Sequence, residues 1–153
     1  MASRQQQYCT FFVDGQCFGL DVLQVQEVIH CQMMTRVPLA NTTVRGLINL
    51  RGQIVTAIDL RRRLGLADRP EGMEPVNVVV HTDDGAVSLL VDEIGDVLAV
   101  PEDAFEPPPE TLQGTARELI QGAYKLDGRL LLILNKEQAV NVTSGERHVA
   151  RHD

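Results

Sequence analysis

The chain repeats itself at a fixed spacing, and that repeat limits the folds open to it more than any other feature. The segment running from Val44 through Leu50-Arg51-Gly52-Gln53 to Leu60 is echoed by the one running from Ile120 through Leu126-Asp127-Gly128-Arg129 to Leu134. Gly46 answers Gly122, Leu50 answers Leu126 and Gly52 answers Gly128, each 76 residues later. A second block, Phe18 to Ile29, lies over Val87 to Leu98 at a spacing of 69, with apolar residues coinciding at Leu20/Leu89, Val22/Val91, Val25/Ile94 and Val28/Val97. The later half must therefore hold seven more residues between its two blocks, and the stretch around Pro107-Pro108-Pro109 accommodates them. Two blocks in the same order are the mark of a duplicated supersecondary unit. One turn position breaks the match, Arg51 in the first copy and Asp127 in the second, so a shared scaffold carries different surface chemistry in each half.

The local signals are those of short antiparallel strands. Tyr8 to Val13 and Cys17 to Val22 flank Asp14-Gly15, a strong hairpin signal because both residues tolerate positive φ. Val44 to Leu50 and Gln53 to Leu60 form a second hairpin about Arg51-Gly52. Pro75 to His81 and Ala86 to Val91 form a third across Asp83-Asp84-Gly85, and Ile120 to Leu126 and Arg129 to Leu134 a fourth across Asp127-Gly128. Between them, Val22 to Ile29 reads as strand with a short helical turn, and Leu60 to Leu66 as a helix ended at Gly65. Thr35 to Thr43 and Arg69 to Pro75 read as loops, and Asn135 to Val142 as a short terminal helix. Aromatics make up only 4% and Trp is absent, so the core must come from Val, Ile and Leu, which favours strands. Many short strands with no long helix between them predict an all-β fold, and the duplication predicts two barrels. The lobes are expected at residues 8–74 and 75–142, with strand exchange between them open, and with 1–7 and 143–153 as flexible tails.

Composition excludes several functions. The 153 residues suffice for one domain or two small lobes with a buried core. A formal net charge of −7 argues against nucleic-acid binding, which needs clustered cations to displace counterions. The run Arg61-Arg62-Arg63 reads as a solvated face. Cys9, Cys17 and Cys31 show no C-x-x-C spacing, and His30, His81, His148 and His152 no ligand spacing, so neither a metal nor a disulfide framework is expected. Phosphate-loop glycine patterns are absent, and so is a nucleophile elbow. Asp92, Glu93 and Asp96 read as a solvated acidic edge. No catalytic site and no cofactor are expected. The segment Met1 to Gln7 lacks the apolar stretch of a secretory signal, and no run approaches the roughly 20 apolar residues of a membrane span, so the cytoplasm is the expected location.

The block Val44-Arg-Gly-Leu-Ile-Asn-Leu-Arg-Gly-Gln-Ile-Val-Thr-Ala-Ile-Asp-Leu60 resembles the CheW family of bacterial chemotaxis coupling proteins. The likeness extends to Gly19 to Ile29, to Val91-Asp-Glu-Ile-Gly-Asp-Val97, and to the hairpin Gly122 to Asn135. Four motifs in the right order span about Tyr8 to Val140. The chain departs at Thr56, where the family often has proline, in a strand flank that tolerates proline without requiring it.

This resemblance implies two five-stranded SH3-like barrels side by side, with no enzymatic activity. It also implies a protein that couples transmembrane chemoreceptors to a CheA-type histidine kinase in membrane-associated arrays, recruited to the inner face of the membrane through the receptors and open to self-association. Carried over residue by residue, it places receptor contacts at Val25, Glu27 and Arg51. It associates the neighbourhood of Gly46, and Leu47 beside it, with the kinase's regulatory domain. An arginine at a glycine turn is suited to such a role, since its fixed fork of donors is common at interface hot spots, and Leu47 and Leu50 are the flanking apolar residues expected to desolvate it. Two readings stand beside this one. The same adaptor fold can serve another output, such as pilus motility or surface sensing, or the barrels can sense a small ligand such as a nucleotide.

Overall fold

The computed structural model describes residues 4–30, 34–36 and 43–141. In chain order the elements are β1 (Gln5–Val13), β2 (Gln16–Asp21), β3 (Val25–His30), β4 (Met34–Thr35), β5 (Val44–Leu50), β6 (Gln53–Asp59), α1 (Leu60–Arg63), β7 (Val76–Thr82), β8 (Gly85–Val91), β9 (Glu93–Pro101), α2 (Gly114–Leu119), β10 (Ile120–Leu126), β11 (Arg129–Leu134) and α3 (Lys136–Val140). Single 3₁₀ turns occupy Val22–Gln24 and Glu102–Ala104. The protein is all-β with short helices, as its sequence predicts. Asp14 and Gly15 both adopt positive φ, 51° and 78°, the pattern of the type I′ turn that matches strand twist. Asp59 caps α1 by accepting from the Arg61 amide at 3.0 Å, and Gly65 at φ +78° ends it. Asn135, 76 residues after Asp59, caps α3 in the same way through the Gln138 amide at 3.1 Å.

The strands form two sheets, one ordered β10-β11-β2-β1-β9 and the other β3-β7-β8-β6-β5-β4. The repeat spacings map one order onto the other, because β1, β2 and β3 correspond to β7, β8 and β9, and β5 and β6 to β10 and β11. The correspondence holds to the residue. Phe18 pairs with Leu132 in the first sheet and Val87 with Thr56 in the second, both in parallel ladders. Register shifts fall between Val44 and Gly46 in β5 and between Ile120 and Gly122 in β10.

Each sheet therefore takes a hairpin from one half of the chain and its other strands from the opposite half. The cut near Glu74 falls inside the second sheet, between β6 and β7, whose strands β6 and β8 are hydrogen-bonded neighbours. The sheets group β1, β2 and β9–β11 apart from β3–β8. Gln5–Gln7, expected as tail, pair with Ala99–Pro101 of β9. Residues 143–153, Cys31, His148 and His152 lie outside the described residues, as does most of the loop expected from Thr35 to Thr43.

Among the described residues neither sheet closes by a ladder between its end strands, and a short segment makes the return in each. Thr35 pairs with Leu47, while in the first sheet Glu106 bridges Ala123, 76 residues after Leu47, through bonds of 2.8 and 2.9 Å. A glycine lies under both returns, against backbone in one and a side chain in the other. A Cβ on Gly46 would strike the Thr35 carbonyl and approach Met34 Cγ to 2.8 Å, and one on Gly122 would enter the Phe105 ring.

Alternation along the strands divides the buried residues into three groups. Phe11, Phe18 and Leu20 meet Val78, Val80 and Leu89 between the sheets. Tyr8, Cys17, Tyr124 and Leu131 fill the inside of the first sheet, and Ile48, Leu50, Val55 and Leu90 the inside of the second. Central strands are thus buried on both faces, which is why Val78–Val80 and Leu131–Leu134 read as unbroken apolar runs. Each fully buried large side chain contributes roughly 1.5–3 kcal/mol.

Candidate functional site

At the β5–β6 turn Arg51 adopts φ +50° and Gly52 φ +88°. Positive φ is uncommon for arginine, so the surroundings must hold it there. Two contacts do so. The Gly52 amide donates to Asn49 Oδ1 at 2.9 Å, and the Arg51 guanidinium donates to the Glu27 carboxylate on β3, closing an ion pair between the turn and an edge strand. The Arg51 bond holds the Glu27 carboxyl below the usual carboxylate range. The Arg51 side chain is 68% exposed and that of Glu27 24%, so the pair is presented outward.

Of the other residues singled out, Val25 is half-buried and packs against the core between the sheets. Its distance along the chain from Glu27 includes a register shift, which breaks the strict alternation of β3. Leu47 is half-buried between Thr35 of β4 and Thr56 of β6. Gly46 is buried beneath β4 and adopts no positive φ, so close packing, not turn geometry, requires it. Leu50, expected beside Arg51, is turned inward at 6% exposure. The exposed apolar residue of this hairpin is instead Ile54, 64% exposed and paired with Asn49. Sequence reasoning missed it because Gln53 and Ile54 are both exposed before alternation begins at Val55.

The corresponding turn of the second half differs in backbone as well as in side chain. Gly128 has φ +81°, but Asp127 does not share the positive φ of Arg51. The residue 69 after Glu27 is Asp96, also exposed, so two carboxylates occupy the positions that hold an ion pair in the first half.

A second set of charges is buried. Asp92 lies where the chain crosses from β8 to β9, and its carboxylate accepts from Arg61 Nη2 at 2.7 Å, Arg61 Nε at 2.9 Å, Arg69 Nε at 2.9 Å and the Asp14 amide at 2.8 Å. Burial alone would push this carboxyl up. The bonds from Arg61, Asp14 and Arg69, with the charge of Arg69, outweigh it and hold the pKa down to about 2. The cluster ties the β1–β2 turn to α1 and thus one sheet to the other. It corrects two readings, since Arg61 is 7% exposed and Asp92 9%, neither a solvated face nor a solvated edge. Only Arg62 and Arg63 of the run remain partly exposed, Arg62 on Asp68 and Arg63 on the Gln138 carbonyl.

Cys9 and Cys17 are free thiols whose pKa burial raises, which disfavours the reactive thiolate. His30 and His81 are exposed. Among the described residues no group of three or more His, Cys, Asp or Glu could hold a metal, and no helix is long and apolar enough to cross a membrane. What the β5–β6 hairpin exposes is a guanidinium held by its carboxylate partner and the apolar side chain of Ile54.

The family model described as CheW-like domain matches residues 7–143. The chain belongs to the CheW-like family. It is similar to chemotaxis protein CheW of Bacillus subtilis (strain 168), 33% identical over 139 residues that cover 91% of this chain and 89% of that one. Protein PilI of Pseudomonas aeruginosa is 29% identical over 114 residues, 74% of this chain and 64% of PilI. The crystal structure of the scaffolding protein TtCheW from Thermoanaerobacter tengcongensis matches with a TM-score of 0.77 at 28% identity, covering 86% of this chain and 90% of that one. As a CheW-like protein the chain is a non-catalytic adaptor of the chemotaxis class. Its two interleaved sheets are the CheW fold.

Proposed function

We propose that this CheW-like adaptor couples the cytoplasmic tips of chemoreceptors to a CheA-type histidine kinase at the inner face of the membrane. The observation that carries the reading is the outward-facing Arg51–Glu27 pair, with exposed Ile54 on the same hairpin as Arg51, on a chain of this family. Arg51 and Glu27 meet the receptor, with Val25 setting the course of β3 behind them. Gly46 and Leu47 belong to the kinase side, where Gly46 acts through shape, by letting β4 lie flat on β5. Two docking surfaces on one body raise the local concentration of kinase at the receptor, and contacts shared by both let a receptor change reach the kinase. Copies of the chain also associate with one another in the array.

The test is Arg51→Glu. It places a carboxylate against Glu27 and is expected to abolish both capture by a receptor cytoplasmic fragment and receptor-dependent kinase activation, with the unfolding midpoint little changed. Capture and activation at wild-type levels would refute the assignment. A second reading, the same adaptor serving another output such as pilus motility or surface sensing, is favoured by the likeness to PilI. Capture of a different kinase from the source cell would decide for it.

A further inference from the structure

We propose that a groove beside the loop from Asp68 to Pro75 docks a partner peptide that carries a carboxylate next to an apolar side chain. The groove has a volume of about 500 Å³. Met34, Met73, Pro70 and Pro75 give it apolar walls, and thioether side chains adapt to irregular apolar partners. Arg36, Arg45 and Arg69 also line it, three of the fourteen cations in a chain of net charge −7.

These three arginines are not equivalent. Arg69 is committed, with Nε on Asp92 at 2.9 Å and Nη2 reaching Asp59 at 3.5 Å and the Leu90 carbonyl at 3.4 Å, and it forms a fixed floor. Arg45 is not. Its nearest carboxylate, Asp59, is buried with Oδ2 lacking any hydrogen bond among the described residues, yet the Arg45 guanidinium stands off at 3.9 Å. Those donors are left to the groove. Arg36 is exposed and has no carboxylate within 4.0 Å among the described residues. Of the groove's own acids, Asp68 is held by Arg62 at 2.8 and 3.1 Å, while Glu71 and Glu74 are exposed on the loop. A carboxylate entering between Arg36 and Arg45 meets two guanidinium groups that hydrogen-bond no carboxylate among the described residues, and its apolar neighbour meets the methionines. A peptide fits this pattern better than a polyanion, which the loop glutamates would repel.

The experiment titrates the ¹⁵N-labelled full chain with the capped peptide Ac-Leu-Glu-Leu-NH₂, its neutral analogue Ac-Leu-Gln-Leu-NH₂ and N-acetylglutamate. Saturable shifts at the Gly72 and Met73 amides are expected with the glutamate peptide. Affinity should fall about tenfold for the glutamine peptide and for Arg45→Glu, the loss typical of one charge-assisted pair. Arg36→Glu, at an exposed position that leaves the fold intact, should weaken binding in the same sense. Equal affinity for the two peptides, wild-type binding by both variants, or N-acetylglutamate binding as tightly as the peptide would each overturn the proposal, the last by making this a small-molecule site. No receptor or kinase enters the assay, so its failure leaves the coupling reading untouched.

Discussion

Replacing Asp92 by asparagine keeps its shape and removes its charge, leaving Arg61 and Arg69 at 8% side-chain exposure with Asp59 as their remaining acidic neighbour inside the protein. Breaking a buried ion pair by deleting one partner costs about 3–5 kcal/mol, because the other charge stays buried and uncompensated. Asp59 relieves part of that for Arg69, so about 3 kcal/mol is expected at neutral pH. The depressed pKa of Asp92 gives a second magnitude. The Asp92 carboxyl is held at about 2 against an ordinary 3.8, and that difference corresponds to about 2 kcal/mol. The folded-state value is depressed, so this stability is fully present above pH 3.8 and is lost as pH falls through 2. Urea unfolding of both proteins at pH 7 and at pH 2.5 reads both quantities. The wild type should lead by about 3 kcal/mol at pH 7, with the gap narrowing in acid. A difference under about 1 kcal/mol at pH 7, or a gap that does not change with pH, would show that the cluster contributes no more than a surface pair.

Gly46→Ala should lower the unfolding free energy by about 1–3 kcal/mol, the usual cost of overpacking, because it meets the Thr35 backbone. Gly122→Ala should cost less, since Phe105 is a half-exposed side chain able to swing away, and Phe105→Ala should rescue it; equal losses would contradict this account. Arg51→Gly relieves a positive φ, so thermal unfolding should be unchanged or later while receptor capture is lost, and a midpoint lower by more than about 4 °C would count against strain at the turn. Proteolysis at the exposed segment 71–74 should leave two fragments that co-elute in native gel filtration, because β6 and β8 on opposite sides of the nick remain paired; free fragments would refute the interleaved topology.

Much of this architecture was legible from residues. The Asp14-Gly15 and Arg51-Gly52 turns announce themselves because positive φ has a narrow residue preference. The cap at Asp59 and the stop at Gly65 are equally local. The repeat spacings predict which residues correspond, and the ladders agree with them. What stayed hidden was partner choice. A strand carries an apolar face but no label for the strand it will pair with, so nothing in Gln16–Asp21 says that its parallel neighbour is β11 and not β6. Charge was the other blind spot. Arg61 and Asp92 lie 31 residues apart and bond because β6 and β8 are parallel neighbours, with Asp59 opposite Leu90 two residues before each of them. The Arg51–Glu27 pair unites two residues that the family likeness had singled out separately, whereas the exposure of Ile54 had no sequence signal at all.

The exchanged hairpins also bear on symmetry. Two copies of a half-length chain, each lending its first hairpin to the other, would build the same pair of sheets about a twofold axis. Such a homodimer must show one identical tip at each end, whatever residue stands there. A single chain is under no such obligation. Joined through the 68–75 loop, the two corresponding turns of this molecule are free to differ, and they do: one carries a cation and the other an anion. That inequality makes the two turns chemically distinct, which a strictly symmetric version of the same fold could never achieve.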